Sequence, residues 1–159
     1  KAGFASPLGN GGDAGAVLQV EAARPWRTTA SGLALALALP IRTFLPSKGE
    51  HSGLESGASG IELTPTLRAS MPLGRSRTSL RTEAGLGVVS RWTWAEVDVR
   101  YMGRKTETGR STTAIARMGL ALDWAIRPAL PLAVEPLSLG FDFEGNADWI
   151  FAVGASYRL

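Results

Sequence analysis

The chain has 159 residues, room for one domain, with 45% hydrophobic residues and a net charge of +3. No run approaches the eighteen or more apolar residues of a spanning helix, and cysteine is absent, which excludes disulfides, thiolate zinc sites and a lipidated N-terminal cysteine. The basic residues are scattered without a cluster, so nothing argues for nucleic acid as a partner.

Hydropathy alternates with a period of two, in segments of about ten residues or more, which is the pattern of strands with one apolar face. In chain order, Lys1 to Leu8 is short and weakly patterned, and Gly9-Asn10-Gly11-Gly12-Asp13 is a turn signal. Ala16 to Arg24 predicts a strand with Leu18, Val20 and Ala22 opposite Gln19 and Glu21, and Pro25-Trp26-Arg27 a tight connection. Thr28 to Leu45 alternates most plainly: Leu33, Leu35, Leu37, Leu39 and Ile41 are separated by Ala34, Ala36, Ala38 and Pro40. Small residues opposite large ones suit the cramped interior of a narrow barrel. Pro46 to Ala58 is polar and rich in Gly and Ser, the composition of a loop.

Ser59 to Leu73 sets Ile61, Leu63, Leu67, Ala69 and Met71 against Glu62, Thr64, Thr66, Arg68 and Ser70. After a turn at Pro72 to Ser76, a strand from Arg77 carries Leu80, Ala84, Leu86 and Val88 opposite Arg81, Glu83, Gly85 and Gly87. It either stops near Ser90 or runs through Trp94 towards Tyr101, before a polar tip at Gly103 to Ser111. Thr112 to Ile126 presents Ala114, Ala116, Met118, Leu120, Leu122, Trp124 and Ile126 outward, with Arg117 and Asp123 inward. Arg127-Pro128 turns the chain into Leu130 to Phe143, where the apolar parity switches near Pro136, the mark of a β-bulge. Glu144-Gly145-Asn146 leads to the closing strand, Ala147 to Leu159, with Trp149, Phe151, Val153, Ala155, Tyr157 and Leu159 on one face.

Counting Lys1 to Leu8 as the first, these are eight strands. Short connections alternate with longer polar ones, with 144–146 the brief exception. An apolar last strand would be an exposed edge in a soluble sheet, whereas a closed barrel pairs it with the first. The expected fold is all-β: a single-domain, eight-stranded, antiparallel up-and-down transmembrane barrel spanning residues 1–159, both termini on the short-turn side. Without a leader at Lys1, the chain reads as a mature form.

Two patterns carry the membrane reading further. Aromatic residues fall near strand ends: Phe44, Trp92, Trp94, Phe141, Phe143, Trp149 and Phe151 at one rim, Trp26, Trp124 and Tyr157 at the other. Amphipathic rings are most stable at headgroup level, and Trp92, Trp94, Trp124, Trp149 and Phe151 are the expected core of the girdle. The inward faces hold Glu21, Arg42, Glu62, Arg68, Arg81, Glu83, Arg117, Asp123, Glu135, Asp142 and Arg158, five positive and six negative groups. Isolated buried charges are costly, so near-balance implies mutual pairing, and a barrel of eight strands is about narrow enough for side chains to fill. The expectation is a plugged interior, its ion-pair network built from Glu21, Arg68, Arg81, Glu83, Arg117, Asp123 and Arg158.

The Gly-rich strands TEAGLGVV (Thr82 to Val89) and ARMGLALDW (Ala116 to Trp124), with the final VGASYRL, resemble the small outer-membrane β-barrel superfamily of the OmpA transmembrane domain and the OmpX-type proteins. The resemblance implies residence in a bacterial outer membrane with periplasmic termini, contact with outer-membrane lipids and lipopolysaccharide, and handling by the barrel-insertion machinery. Gly154, Tyr157 and Leu159 match that machinery's signal, with Leu159 where Phe is usual. Fold likeness does not transmit a task.

No residue pattern calls for a cofactor or a metal. Some small barrels of this kind modify lipid A with Ser, His and an acid. The one histidine, His51, lies between Glu50 and Ser52 in a predicted loop with Glu55 nearby, where rigid convergence is not expected. Arg81/Glu83 and Arg117/Asp123 read as structural ion pairs before acid–base machinery. Three roles follow in order: a non-enzymatic anchor or subunit of a larger envelope assembly, with other envelope proteins as partners; a surface-binding barrel using Trp92 to Tyr101; and a lipid A-modifying enzyme centred on His51.

Overall fold

The structure, a computed structural model, describes residues 1–8, 15–51, 54–74, 77–99, 103–127 and 130–155. The strands are β1 (Ala2–Leu8), β2 (Gly15–Thr28), β3 (Ala34–His51), β4 (Leu54–Leu63), β5 (Thr66–Pro72), β6 (Thr78–Val99), β7 (Gly103–Arg127), β8 (Leu130–Asp142) and β9 (Ala147–Ala155). All neighbouring pairs are antiparallel, and β1 pairs with both β2 and β9, which closes the sheet on itself. Since β4 and β5 both lie between β3 and β6, the wall has eight positions. Pro65 explains the division: without an N–H it cannot donate to a ladder, and pairing lapses at 64–65. The expected unbroken strand over Ser59 to Leu73 is corrected accordingly. The short N-terminal segment does form the first strand, as eight-fold closure requires.

Face alternation follows the sequence. Leu86 and Met118 are 68% and 56% exposed on the outer wall, together with Leu37, Leu39, Ile41, Ile61, Leu67, Leu122 and Val153. Their sequence neighbours Ala38, Arg42, Glu62, Arg117 and Ala152 are buried in the lumen, as is Ile150. A bulge lies where the parity switches: the β8–β9 register shifts between Glu135 and Ser138, on either side of Pro136. Trp26 and Trp124 are exposed at the short-turn end, and Trp92, Phe141 and Phe143 towards the other. Trp94, Trp149 and Phe151 are half-buried. Phe44 departs from the expected girdle, since it shares the lumen parity of Pro40 and Arg42 and packs against Ala5, Val17, Ile150 and Ala152.

Three boundaries differ from expectation, and one open alternative is resolved. β2 continues through Pro25-Trp26-Arg27 with a register shift there, and the turn follows at Thr29 to Leu33, where Gly32 takes a φ of 84°. That left-handed conformation suits glycine. The segments expected as loops at 46–58 and 103–111 are largely paired backbone: Ser47↔Ala58 to His51↔Leu54 joins β3 to β4, and Trp92↔Arg110 to Val99↔Gly103 joins β6 to β7. The run over 77–102 is one strand as far as Val99. Water on both faces removes the apolar alternation, so paired backbone beyond the apolar belt looks like loop in composition. The expected turn at Gly9 to Asp13, and Tyr157, Arg158 and Leu159, lie outside the described residues.

Candidate functional site: the closed lumen

Cross-strand register decides which lumen charges meet. Gln19 lies opposite Arg42, and Arg42 opposite Glu62, so β2, β3 and β4 place three polar side chains in one row. Arg42 donates through Nε to Gln19 Oε1 at 2.9 Å, through Nη1 to Glu62 Oε1 at 2.7 Å and through Nη2 to Glu83 Oε1 at 3.2 Å. From the far wall, Arg117 on β7 donates to both oxygens of Glu62, at 2.8 and 2.5 Å, and through Nη1 to Asp148 on β9 at 2.8 Å. Thr64 Oγ1 adds a bond to Glu62 Oε1 at 2.7 Å. One carboxylate thereby ties two arginines from opposite sides of the barrel.

Gly140 makes this crossing possible. A Cβ there would fall 2.6 Å from both Arg117 Nη2 and Asp148 Oδ1, so any side chain would displace the guanidinium.

A second row continues towards the short-turn end. Arg68 and Glu83 are direct cross-strand partners and bond at 2.8 Å. The same guanidinium grips both oxygens of Glu21, at 2.9 and 2.6 Å, a bidentate pair with fixed geometry. Gln19 Nε2 donates to Glu21 at 2.7 Å, which joins the two rows. Lys1 Nζ reaches Glu135 at 3.1 Å and Glu21 at 3.3 Å. Arg81 pairs with Asp123 at 3.1 Å. Arg81 Nε and Nη2, Glu135 Oε1 and Ser138 Oγ are buried without a protein hydrogen-bond partner. At the opposite rim Arg91 pairs with Asp142, whose carboxylate also accepts the backbone N–H groups of Glu144 and Asn146 and so fixes the β8–β9 turn.

Of the sequence-predicted network, Glu21, Arg68 and Glu83 form one connected cluster, and Arg117 joins it through Glu62 and Arg42. The pairings Arg81/Glu83 and Arg117/Asp123 do not form; Arg81 takes Asp123, Glu83 takes Arg68 and Arg42, and Arg117 takes Glu62 and Asp148. Contacts in a sheet run across strands, not along them, so sequence neighbours are poor guides to partners. Arg42, Glu62, Glu135 and Asp142 were read as inward charges but left out of the expected network, and Gln19, Asp148, Arg91 and Lys1 were missed as members. Inward parity would have flagged Gln19, Asp148 and Arg91, which lie on the same faces as Glu21, Ile150 and Val89.

Arg42 and Glu62 are fully screened from solvent, and Arg117 is 1% exposed. The lumen is therefore closed at this level by side chains. The described carboxylates there sit against arginines, an arrangement suited to holding walls together. Among the described residues no group of three or more His, Asp or Glu is placed to hold a metal. His51 ends β3, its backbone paired with Leu54, so it belongs to a strand end; its side chain lies outside the described residues. Gly154 lies on β9 beside Lys1.

No protein-family model and no curated protein matches the chain. Solved structures do match in fold. Ail, the attachment invasion locus protein of Yersinia pestis, superposes with a TM-score of 0.59 at 13% identity, covering 99% of this chain and 95% of that one. Neisserial surface protein A (NspA) gives 0.57 at 12%, covering 99% and 93%. Ail in complex with the heparin analogue sucrose octasulfate gives 0.51 at 14%, covering 99% and 95%. Both proteins are small eight-stranded outer-membrane barrels, and this chain has that fold.

Proposed function

We propose that the chain is an integral outer-membrane barrel with a closed lumen that serves as an anchor or subunit of a larger envelope assembly. The observation that carries this is the Arg42–Glu62–Arg117 crossing, which fills the lumen and leaves the outer wall and rims as the surfaces available for work. The exposed apolar wall suits lipid, in which a closed barrel satisfies every backbone group. The long hairpins then lie outside and the short turns and termini in the periplasm. Membrane lipids, lipopolysaccharide, the barrel-insertion machinery and companion envelope proteins are the partners this reading names. The test is affinity purification from native outer membranes in mild detergent, followed by intact-mass measurement. A particle heavier than one chain with its micelle, with defined companions, supports the reading; a lone barrel removes it.

A second reading, surface binding, draws on the hairpin of β6 and β7. Above the Ile115↔Asp142 pair, β7 has no partner on its β8 side among the described residues, from Gly103 to Thr113. An open edge of this kind accepts an extended segment by strand addition. Against easy addition, it carries Lys105 and Arg110, charges of the sort that protect edges.

A further inference from the structure

Among the described residues the outer wall is largely apolar, interrupted by Thr43 and Thr82 and, towards the short-turn end, by Arg24 and by Arg27 across from Leu35. Arg24 on β2 has the outward parity of Val20 and Ala22, lies directly across from Leu37, and is exposed. Among the described residues it has no hydrogen-bond or ion-pair partner, unlike the arginines of the lumen. An arginine on the lipid face of a barrel is strongly destabilising at the midplane and far less so near the interface. Its position is close to the interface: Trp26, two residues nearer the turn, marks the rim, and the ladder ends at Thr28↔Ala34.

Arg24 also lines a groove of about 520 Å³ in the wall. Ala22, Leu37, Leu39, Pro65 and Leu67 form its sides, all outward-facing and apolar. Two features hollow it out. Ala22 is small among leucines, and the wall is interrupted where Pro65 breaks the ladder between β4 and β5. The register orients it: Arg24 is level with Leu37, whereas Ala22 is level with Leu39, further from the short turn. The charged end thus faces the rim, and the apolar end points into the bilayer.

We propose that this groove holds one phospholipid of the short-turn leaflet, its acyl chain along Ala22, Leu39 and Pro65 and its phosphate on Arg24. A phosphate supplies the counter-charge that the wall lacks, through a charge-assisted bond in a poorly hydrated place, and an acyl chain matches the groove's apolar sides. The arginine stem follows the wall while its head reaches the interface. The proposal rests on the reading of the outer wall as lipid-facing.

The test uses the barrel refolded in detergent, titrated with phosphatidylglycerol and followed by native mass spectrometry. Diacylglycerol of the same chain length reports the chain without the phosphate. The variants are Arg24→Gln and Ala22→Phe, both on the outer wall and away from the lumen network. The wild type is expected to keep one phosphatidylglycerol under conditions that strip further lipids. Arg24→Gln is expected to bind it on the order of tenfold more weakly and to lose the preference over diacylglycerol. Ala22→Phe is expected to lower retention of both lipids. Equal retention by wild type and both variants, or no preference for the phosphate, overturns the proposal. A sample that refolds as a heat-modifiable band in SDS gels and retains no lipid defeats this proposal alone. A sample that never shows that band defeats the membrane reading beneath it.

Discussion

β6 and β7 pass through two environments without a break in their pairing, and the contrast between their halves teaches what holds this molecule together. From Thr78↔Trp124 to Val88↔Ala114 the inward side chains include Arg81, Glu83 and Arg117, buried and fixed by partners on other strands. From Trp92↔Arg110 to Val99↔Gly103 the same ladder continues, yet its described contacts are those of a wet surface. Arg110 stacks over the Trp92 ring at 5.4 Å, and the Lys105–Glu107 pair has both side chains 71% exposed. Backbone geometry is shared; only the lower half makes its charges indispensable to one another.

Breaking the lower half has the largest expected effect. Arg117→Leu leaves Glu62 and Asp148 without their shared cation and should cost about 3–5 kcal/mol, read from denaturant unfolding in vesicles. Adding Glu62→Gln and Asp148→Asn should recover part of that loss, because the stranded charges go with the cation. The outer wall at the same height is next: Leu86→Arg puts a charge into lipid and should cost about 2–4 kcal/mol in vesicles. A change of less than about 0.5 kcal/mol would place that wall in water. Gly140→Ala should cost about 1–3 kcal/mol by crowding the Arg117 guanidinium. In the upper half, Arg110→Ala should cost about 0.5–1 kcal/mol, the worth of an exposed cation–π contact, seen as a small shift in unfolding midpoint.

Glu107→Gln should leave the midpoint unchanged. The hydrogen bond from Lys105 holds the Glu107 carboxyl below its ordinary value. Its contribution is thus present above the unfolded carboxyl's range and lost as pH falls through the lowered one. Full exposure screens it below detection, so unfolding midpoints of the wild type and Glu107→Gln should coincide on both sides of that range.

The same contrast explains what the sequence made legible. In the lower half each strand has one apolar face, so parity identified the outward leucines, the inward charges and the Pro136 bulge, whereas the weakly patterned first strand followed from the even count and the alternation of connections. The upper half has no such face, and paired backbone at 46–58 and 103–111 read as loop. Partner choice within the lumen was not legible, because it depends on register: nothing in the spacing of Arg117 and Asp123 shows that Arg117 will cross to Glu62 and Asp148. The lapse at Pro65 was present in the sequence as a proline inside a strand, but parity continues across it from Leu63 to Leu67, which masked the break.

The central claim is that the apolar face meets lipid while the charged face closes the lumen. Refolding into phospholipid vesicles, with trypsin digestion and SDS gels of unboiled and boiled samples, tests it most directly. The account predicts a trypsin-resistant core in vesicles and an unboiled band that migrates differently from the boiled one. Protein that stays soluble and monodisperse without detergent, with identical migration before and after boiling, would contradict it.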